Sequence, residues 1–413
     1  MNTSRPREAW IIDAVRSPRG KGRATGSLHG VHPQRVLAQV LNGLRDRVGL
    51  DTQAVGDVIM GCSFEVADHA FDIARNAVLD AGWSTDAPGV TINRYCGSGQ
   101  QAVNFATMAV LSGHEDLVVA GGVESMSRMG SMQTDGFWAG NQHLFELYPM
   151  IPQGLAGDLI ATIEGFTRTD CDALAVESQA RAAVAIAEGR FANSIVPIHH
   201  DDGSLALDCD EHPRAGTSID DLARLAPSFA PLAEQSPPAG GPSFAALAAS
   251  RYPDAPALSH VHHAGNSSGV VDGASALLIA SSDYARAHGL QPRARIRMTA
   301  AVGSEPVIML TAPAAAAQRC AAKAGLTLDD IDLFEVNEAF AAVVLKFLKD
   351  TGVDPASVNV NGGAIALGHP IGATGGMLIG TLLDELERTD RERGLVAMCT
   401  GGGMGTASII ERT

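Results

Sequence analysis

Short apolar runs alternate along the chain with longer segments whose apolar residues recur every three or four positions. Ala9-Trp10-Ile11-Ile12 opens the series as a strand. Residues 37–48 have helical spacing, 55–61 read as a strand, and 72–81 read as a helix. Residues 91–93 lead into Tyr95-Cys96-Gly97-Ser98-Gly99 and a helix to about residue 111. A short buried strand over 116–120 follows and ends in Gly121-Gly122. Strand–helix–strand order of this kind predicts an α/β layered fold, because each helix buries its apolar stripe on a sheet.

The C-terminal part repeats the plan: helix 313–324, strand 331–336, helix 339–348. Residues 358–360 then lead into Gly362-Gly363 and the Gly368-His369-Pro370 turn. A helix over about 375–386 and a strand over 394–398, ending at Cys399, complete it. Leu50 to Cys96 spans 46 residues and Leu326 to His369 spans 43. We read this as an internal duplication of one βαβ-rich half, which places the Cys96 and His369 turns equivalently around a shared cleft. Between the halves the pattern weakens. Residues 126–152 are rich in Met, Gly and aromatics, 173–188 form a helix, and 227–256 are rich in Pro, Ala and Ser. The expected division is a first half over 1–125, completed by about 266–290, an inserted loop domain over 126–265, and a second half over 291–413.

Composition narrows the picture. The 413 residues are 46% hydrophobic but only 5% aromatic, and 45 are glycine, about 11% against roughly 7% in average usage. The core is therefore expected to be Ala, Val, Leu and Ile packed close to backbone. Thirty Lys and Arg against 46 Asp and Glu give a net charge of −16, whose field repels polyanions. Nucleic acid and anionic membrane surfaces are excluded as general partners. A local anion pocket is compatible with that balance. No apolar run approaches the length of a membrane span. The polar residues 1–8 predict no signal peptide, so a soluble cytoplasmic protein is expected. Cysteines 62, 96, 171, 209, 320 and 399 form no Cys-x-x-Cys pair and sit beside no histidine at metal-ligand spacing. Neither a zinc site nor a disulfide framework is predicted, and the default for each thiol is to pack.

Four positions depart from that default. Cys96 in Asn93-Arg94-Tyr95-Cys96-Gly97-Ser98-Gly99 stands on a tight turn at a helix N-terminus, which favours a thiolate. The plain alternative is a buried cysteine before a packed helix. His369, between Gly368 and Pro370, can activate a thiol. The other twelve histidines read as satisfied or solvated. The Walker lysine is absent from this glycine run, which argues against a phosphate loop. Cys399 in Met398-Cys399-Thr400-Gly401-Gly402-Gly403 ends a strand and can serve as an acid/base; a packed turn cysteine is its alternative. Asn337 in Val336-Asn337-Glu338-Ala339-Phe340 stands at a strand end, where Asn is also an ordinary helix cap.

Together, in this order and spacing, the four motifs resemble the thiolase family of acyl-CoA acyltransferases, and the similarity runs from Asp13-Ala14-Val15-Arg16-Ser17-Pro18 to the terminal glycine segment. The resemblance implies a five-layered αβαβα fold of two duplicated halves with an inserted loop domain, and a homodimer or homotetramer. It implies that Cys96 carries the acyl group as a thioester and that His369 activates it. Cys399 would exchange a proton with the α-carbon, and Asn337 would hold a water in one oxyanion hole. The amides of Cys96 and Gly401 would form the other. Coenzyme A is implied as co-substrate, with no permanently bound cofactor. Arg214 would lie on its adenine side, Ser268 on the pantetheine arm, and Ala264 and Phe340 along the tunnel. Where many short-chain members carry a His-Met pair, this chain has Gln153-Gly154-Leu155 and Asp158-Leu159. That change bears on acyl specificity. Two competing readings are a carrier-protein ketoacyl synthase, which would leave Cys399 without a role, and a non-catalytic acyl- or lipid-binding relative, against which the intact set of four argues.

Overall fold

A computed structural model describes residues 7–129, 140–237 and 240–413. Residues 130–139 and 238–239 of the predicted loop domain lie outside the described residues. Nine strands carry the architecture: β1 (Ala9–Arg16), β2 (Asp57–Gly61), β3 (Val90–Ile92), β4 (Leu117–Ser125), β5 (Val271–Ser281), β6 (Ala294–Gly303), β7 (Leu333–Val336), β8 (Arg393–Thr400) and β9 (Met404–Arg412). They form one path, β7-β8-β9-β6-β1-β5-β4-β2-β3, with Gly20–Lys21 pairing β5 off it. With the Val358 bridge counted beyond β7, the path reads the same from both ends. β2 and β4 are parallel, as are β7 and β8, and the inner pairs are antiparallel. Val358 bridges Phe334 in parallel where β3 pairs with β2 in the other half. The halves join at β1 and β6 through Trp10–Arg295 and Ile11–Ala294. The duplication read from the sequence is thus a duplicated strand order.

Alternation along each strand builds the layers. Trp10, Ile12, Val119 and Val123 face an outer cluster with helix α1 (Pro33–Val48), whose Leu37, Leu41 and Leu44 line it. Ile11, Val118 and Ala120 face a central cluster, as do Val396 and Met398 from the second half. Leu395 and Ala397 face a third cluster with Cys320, Val344 and Phe347. That outer layer is covered by the helices Pro313–Ala324 and Ala341–Thr351. The middle layer holds α2 (Ser98–Ser112) and α3 (Ile371–Arg388), packed on each other and on strands of both halves. Helix, sheet, helix, sheet, helix is the expected five-layered order. Each buried Leu or Ile of α3 contributes about 1.5–3 kcal/mol to holding the middle layer.

Glycine sets how close α2 and α3 come. A Cβ on Gly99 would lie 2.5 Å from the Gly372 carbonyl oxygen, and one on Gly375 would lie 2.1 Å from the Gln100 nitrogen. The helix starts therefore meet backbone to backbone, and the turns preceding them are drawn together. Helix α3 begins at Ile371, earlier than the expected residue 375, because Pro370 can cap but not continue a helix backward. β4 runs through Gly121-Gly122 to Ser125 instead of ending there. Cβ atoms at those glycines would strike Ser275 and Gly372 carbonyl oxygens at 2.0 Å, so the strand needs both to pass. Among the described residues no helix is long and apolar enough to cross a membrane.

Candidate active site

Cys96 ends a turn locked from several sides. The Asn93 side chain accepts from the Tyr95 amide (2.9 Å), and Ser98 Oγ accepts from the Arg94 amide (2.8 Å) and donates to the Tyr95 carbonyl (2.6 Å). Tyr95 adopts φ 48°, a left-handed conformation that costs a bulky residue energy and persists only where its surroundings fix it. Gly97 lets the turn press on the end of β8, since its Cβ would lie 2.7 Å from Thr400 Cγ2. The Gly401 amide and the Gln153 side chain favour the thiolate of Cys96. One expectation is corrected here. Burial pushes the thiol up to about 11, outweighing the donors beside it, so the resting group is a thiol.

His369 is fixed by its backbone and by one ring nitrogen. Gly368 holds φ 96° against Val271, and the His369 amide donates to the Gly269 carbonyl at 2.9 Å. Nδ1 lies 2.6 Å from Thr374 Oγ1, whose own hydrogen goes to the Pro370 carbonyl at 3.1 Å. A carbonyl only accepts, so Thr374 must accept from Nδ1–H, and the lone pair falls on Nε2. Nε2 is buried with no hydrogen-bond partner among the described residues. Burial, aided by the Arg19 charge, pulls the imidazole down to about 3. It is a neutral base.

Cys399 is fully buried near the end of β8, and its thiol is pushed up by burial and by the charge that Cys96 would carry. Asn337 follows β7, where its amide donates to the Ala397 carbonyl at 3.0 Å. Both polar atoms of its side chain are buried without a partner among the described residues. Such groups cost roughly 1–3 kcal/mol each and need an explanation. A polar substrate or water that binds there would supply one.

The remaining predicted residues form a second group. Phe340 packs edge-on to Phe229 (5.8 Å) and His262 (5.4 Å), and it bridges Ser267. Ser268 donates its amide to the Ala339 carbonyl at 3.0 Å, placing the serine beside Phe340. Ala264 is exposed on the same loop. Arg214 is also exposed, bonded through its backbone to Gln179, and makes no ion pair among the described residues. It reaches the site only indirectly: its charge acts on His212, which packs on Gly269, the partner of the His369 amide. Of the six thiols, all free, Cys209 is exposed, against the packing default.

Thr374 and Glu124 carry no sequence signal of their own, and the sequence marks Gln153 only for acyl specificity. Gln153 reaches the Cys96 sulfur from the start of the helix Gln153–Glu164. That helix is anchored by Asp158, which accepts from the His262 ring (2.8 Å) and from the amides of Val261 (3.1 Å) and His262 (3.0 Å). Thr374 sets the His369 tautomer. Glu124, at the end of β4, holds the first turn of α3. His262 and His263 are satisfied core histidines, the latter 2.7 Å from Asp172.

The chain matches two family domains, the thiolase N-terminal domain over residues 9–233 and the thiolase C-terminal domain over 290–412. It is 42% identical to the steroid 3-ketoacyl-CoA thiolase FadA6 of Mycobacterium tuberculosis, over 98% of this chain and 94% of that protein. It is 39% identical to the beta-ketoadipyl-CoA thiolase of Pseudomonas aeruginosa, over 98% and 99%. The crystal structure of the Bacillus anthracis acetyl-CoA acetyltransferase superposes with a TM-score of 0.83 at 34% identity, covering 98% and 99%. Domain matches on both sides of the duplication, and likeness along nearly the full length of each relative, place this chain in the thiolase family.

Proposed function

We propose that the protein is a thiolase that cleaves 3-ketoacyl-CoA with coenzyme A, giving acetyl-CoA and a shortened acyl-CoA, or runs the reverse Claisen condensation. The observation that supports this is the buried, unpartnered Nε2 of His369, just before the helix that packs on the one following Cys96, whose charge in turn acts on Cys399. In cleavage, Nε2 takes the Cys96 proton as the sulfur attacks the 3-keto carbon. The C2–C3 bond then breaks, and Cys399 protonates the departing acetyl-CoA enolate at carbon. Coenzyme A next gives its thiol proton to Cys399 and attacks the acyl-Cys96 thioester. The released Cys96 sulfur recovers its proton from His369. The amides of Cys96 and Gly401 are the donors for the thioester oxygen, and Asn337, through a water, with His369 for the enolate oxygen. A ketoacyl synthase would have no use for Cys399 at this place.

Around that site we assign the first half to 1–125 with about 266–290, the loop domain to 126–265 and the second half to 291–413. Arg214, Ser268, Ala264 and Phe340 would line the path of coenzyme A, the cation meeting its anionic nucleotide end. A homodimer or homotetramer fits the exposed apolar Phe105, Met108 and Leu111 at one face of α2 and the exposed Val90 on the edge strand. A cytoplasmic location fits the free thiols. The test is intact mass spectrometry after brief exposure to a 3-ketoacyl-CoA. An acyl adduct lost in Cys96→Ser is expected, and equal occupancy on the variant would sink the assignment.

A further inference from the structure

We infer that Glu124 is a positioning residue for this reaction: a carboxylate from the first half that fixes the turn of the second half on which His369 stands. The inference rests on the reading of His369 as the base.

A helix leaves its first amides without acceptors, and a side chain at the N-cap usually supplies one. The N-cap of α3 is Pro370, which has no acceptor in its side chain. The acceptor comes instead from across the duplication. Glu124 is fully buried, and its Oε2 takes the Gly372 amide at 2.9 Å, three residues beyond His369. The same carboxylate accepts from the Ser63 amide (2.9 Å) and the Phe64 amide (3.2 Å), and the Cys62 thiol lies 3.6 Å away. It therefore bridges the loop after β2 to the start of α3. No Lys or Arg among the described residues pairs with it; burial raises its carboxyl to about 7, and the three amides only partly offset that. Burying a carboxylate without a cation is costly and would not persist as filler.

Its register adds a second argument. Gly61 pairs with Gly122 in the first half, and Val336 with Ala397 in the second. Two residues onward stand Glu124 and Cys399. Glu124 continues the face of Val118 and Ala120, toward the middle-layer helices, whereas Cys399 continues that of Leu395 and Ala397, so at this level of the sheet it is the first half that turns its side chain to α3.

The test compares the full-length protein with Glu124→Gln and Glu124→Asp. Turnover is scored per Cys96 that alkylates stoichiometrically, so that loss of folded protein cancels. Gln loses one acceptor oxygen. Asp keeps the carboxyl but is a methylene too short to bridge the 63–64 loop and Gly372 together. We expect each variant to lose about 10- to 100-fold in kcat per titrated site, with KM within about twofold. Turnover within twofold of wild type in either folded variant overturns the inference, and Asp carries the test if Gln does not fold. The imidazole ¹⁵N shifts of His369 are recorded in parallel. If wild type shows no thiolysis, the catalytic reading fails, yet unchanged shifts in the variants would still refute Glu124 as the residue that places the ring, and moved shifts would support it.

Discussion

Thr374 Oγ1 sits 2.6 Å from His369 Nδ1 and spends its own hydrogen on the Pro370 carbonyl, so one hydroxyl decides which imidazole nitrogen is the base. The two residues are five apart and lie on either side of a helix start, a spacing that only the turn at Pro370 makes into a contact. Thr374→Val keeps the shape and removes the acceptor. The ring then has no fixed tautomer, and kcat should fall about 10- to 100-fold. Thr374→Ser should restore most of it. Steady-state kinetics of both variants check this, and full activity in the valine form would show that Thr374 does not govern the base.

The burial that makes His369 a neutral base also silences the nucleophile at rest. With Cys96 pushed up to about 11, its thiolate fraction near pH 8 is about 100-fold lower than that of an ordinary thiol. Iodoacetamide labelling of Cys96, resolved by peptide mass spectrometry, should therefore keep accelerating up to pH 10 and beyond. A labelling midpoint below pH 8 would contradict it and would show that the helix N-terminus and Gly401 amide outweigh burial.

The glycines of α3 divide by what faces them. Gly375 lies over Gln100, where a Cβ would fall 2.1 Å from the backbone nitrogen, whereas a Cβ on Gly380 would meet nothing closer than Ala14 Cβ at 3.4 Å. Gly375→Ala should destabilise by about 1–3 kcal/mol or more, by forcing α2 and α3 apart. Gly380→Ala should be neutral, or stabilise by about 0.5–1 kcal/mol through the helix propensity gained. Denaturant titrations of the two variants in parallel make the comparison. Equal losses would mean that the helix crossing is not what the glycines serve.

Which of these features the sequence discloses follows from their physical origin. Cys96, His369 and Cys399 stand at turns, and turns announce themselves by local Gly and Pro chemistry. β5, with the sequence Val271-Asp272-Gly273-Ala274-Ser275-Ala276, is buried on both faces and so has no polar alternation to read. Thr374, Gln153 and Glu124 matter because of what the fold sets beside them from another element or across a turn. No spacing in the chain encodes that the end of β4 meets the start of α3. The helix N-terminus at Cys96 is legible in the sequence, but the depth at which the thiol is buried is not, and burial decides the resting state.

Cys399 offers the sharpest separation of roles. Two bonds are made or broken at different leaving atoms: acylation by acetyl-CoA expels a sulfur, and cleavage of a 3-ketoacyl-CoA expels a carbon. A thiolate leaves readily without a proton, whereas an enolate carbon holds its electron pair at far higher cost and needs a donor in place. Cys399 is fully buried, with its thiol pushed up, so at neutral pH it holds the proton such a carbon requires. Cys399→Ala should lower the cleavage rate by about 100-fold or more, within the range typical of a lost general acid, while acylation of Cys96 by acetyl-CoA falls less than about tenfold. Rapid-quench mass spectrometry follows the acyl-Cys96 formed from acetyl-CoA, and loss of 3-ketoacyl-CoA absorbance follows cleavage. Equal losses in the two assays would remove Cys399 from the α-carbon and leave it as packing beneath Cys96.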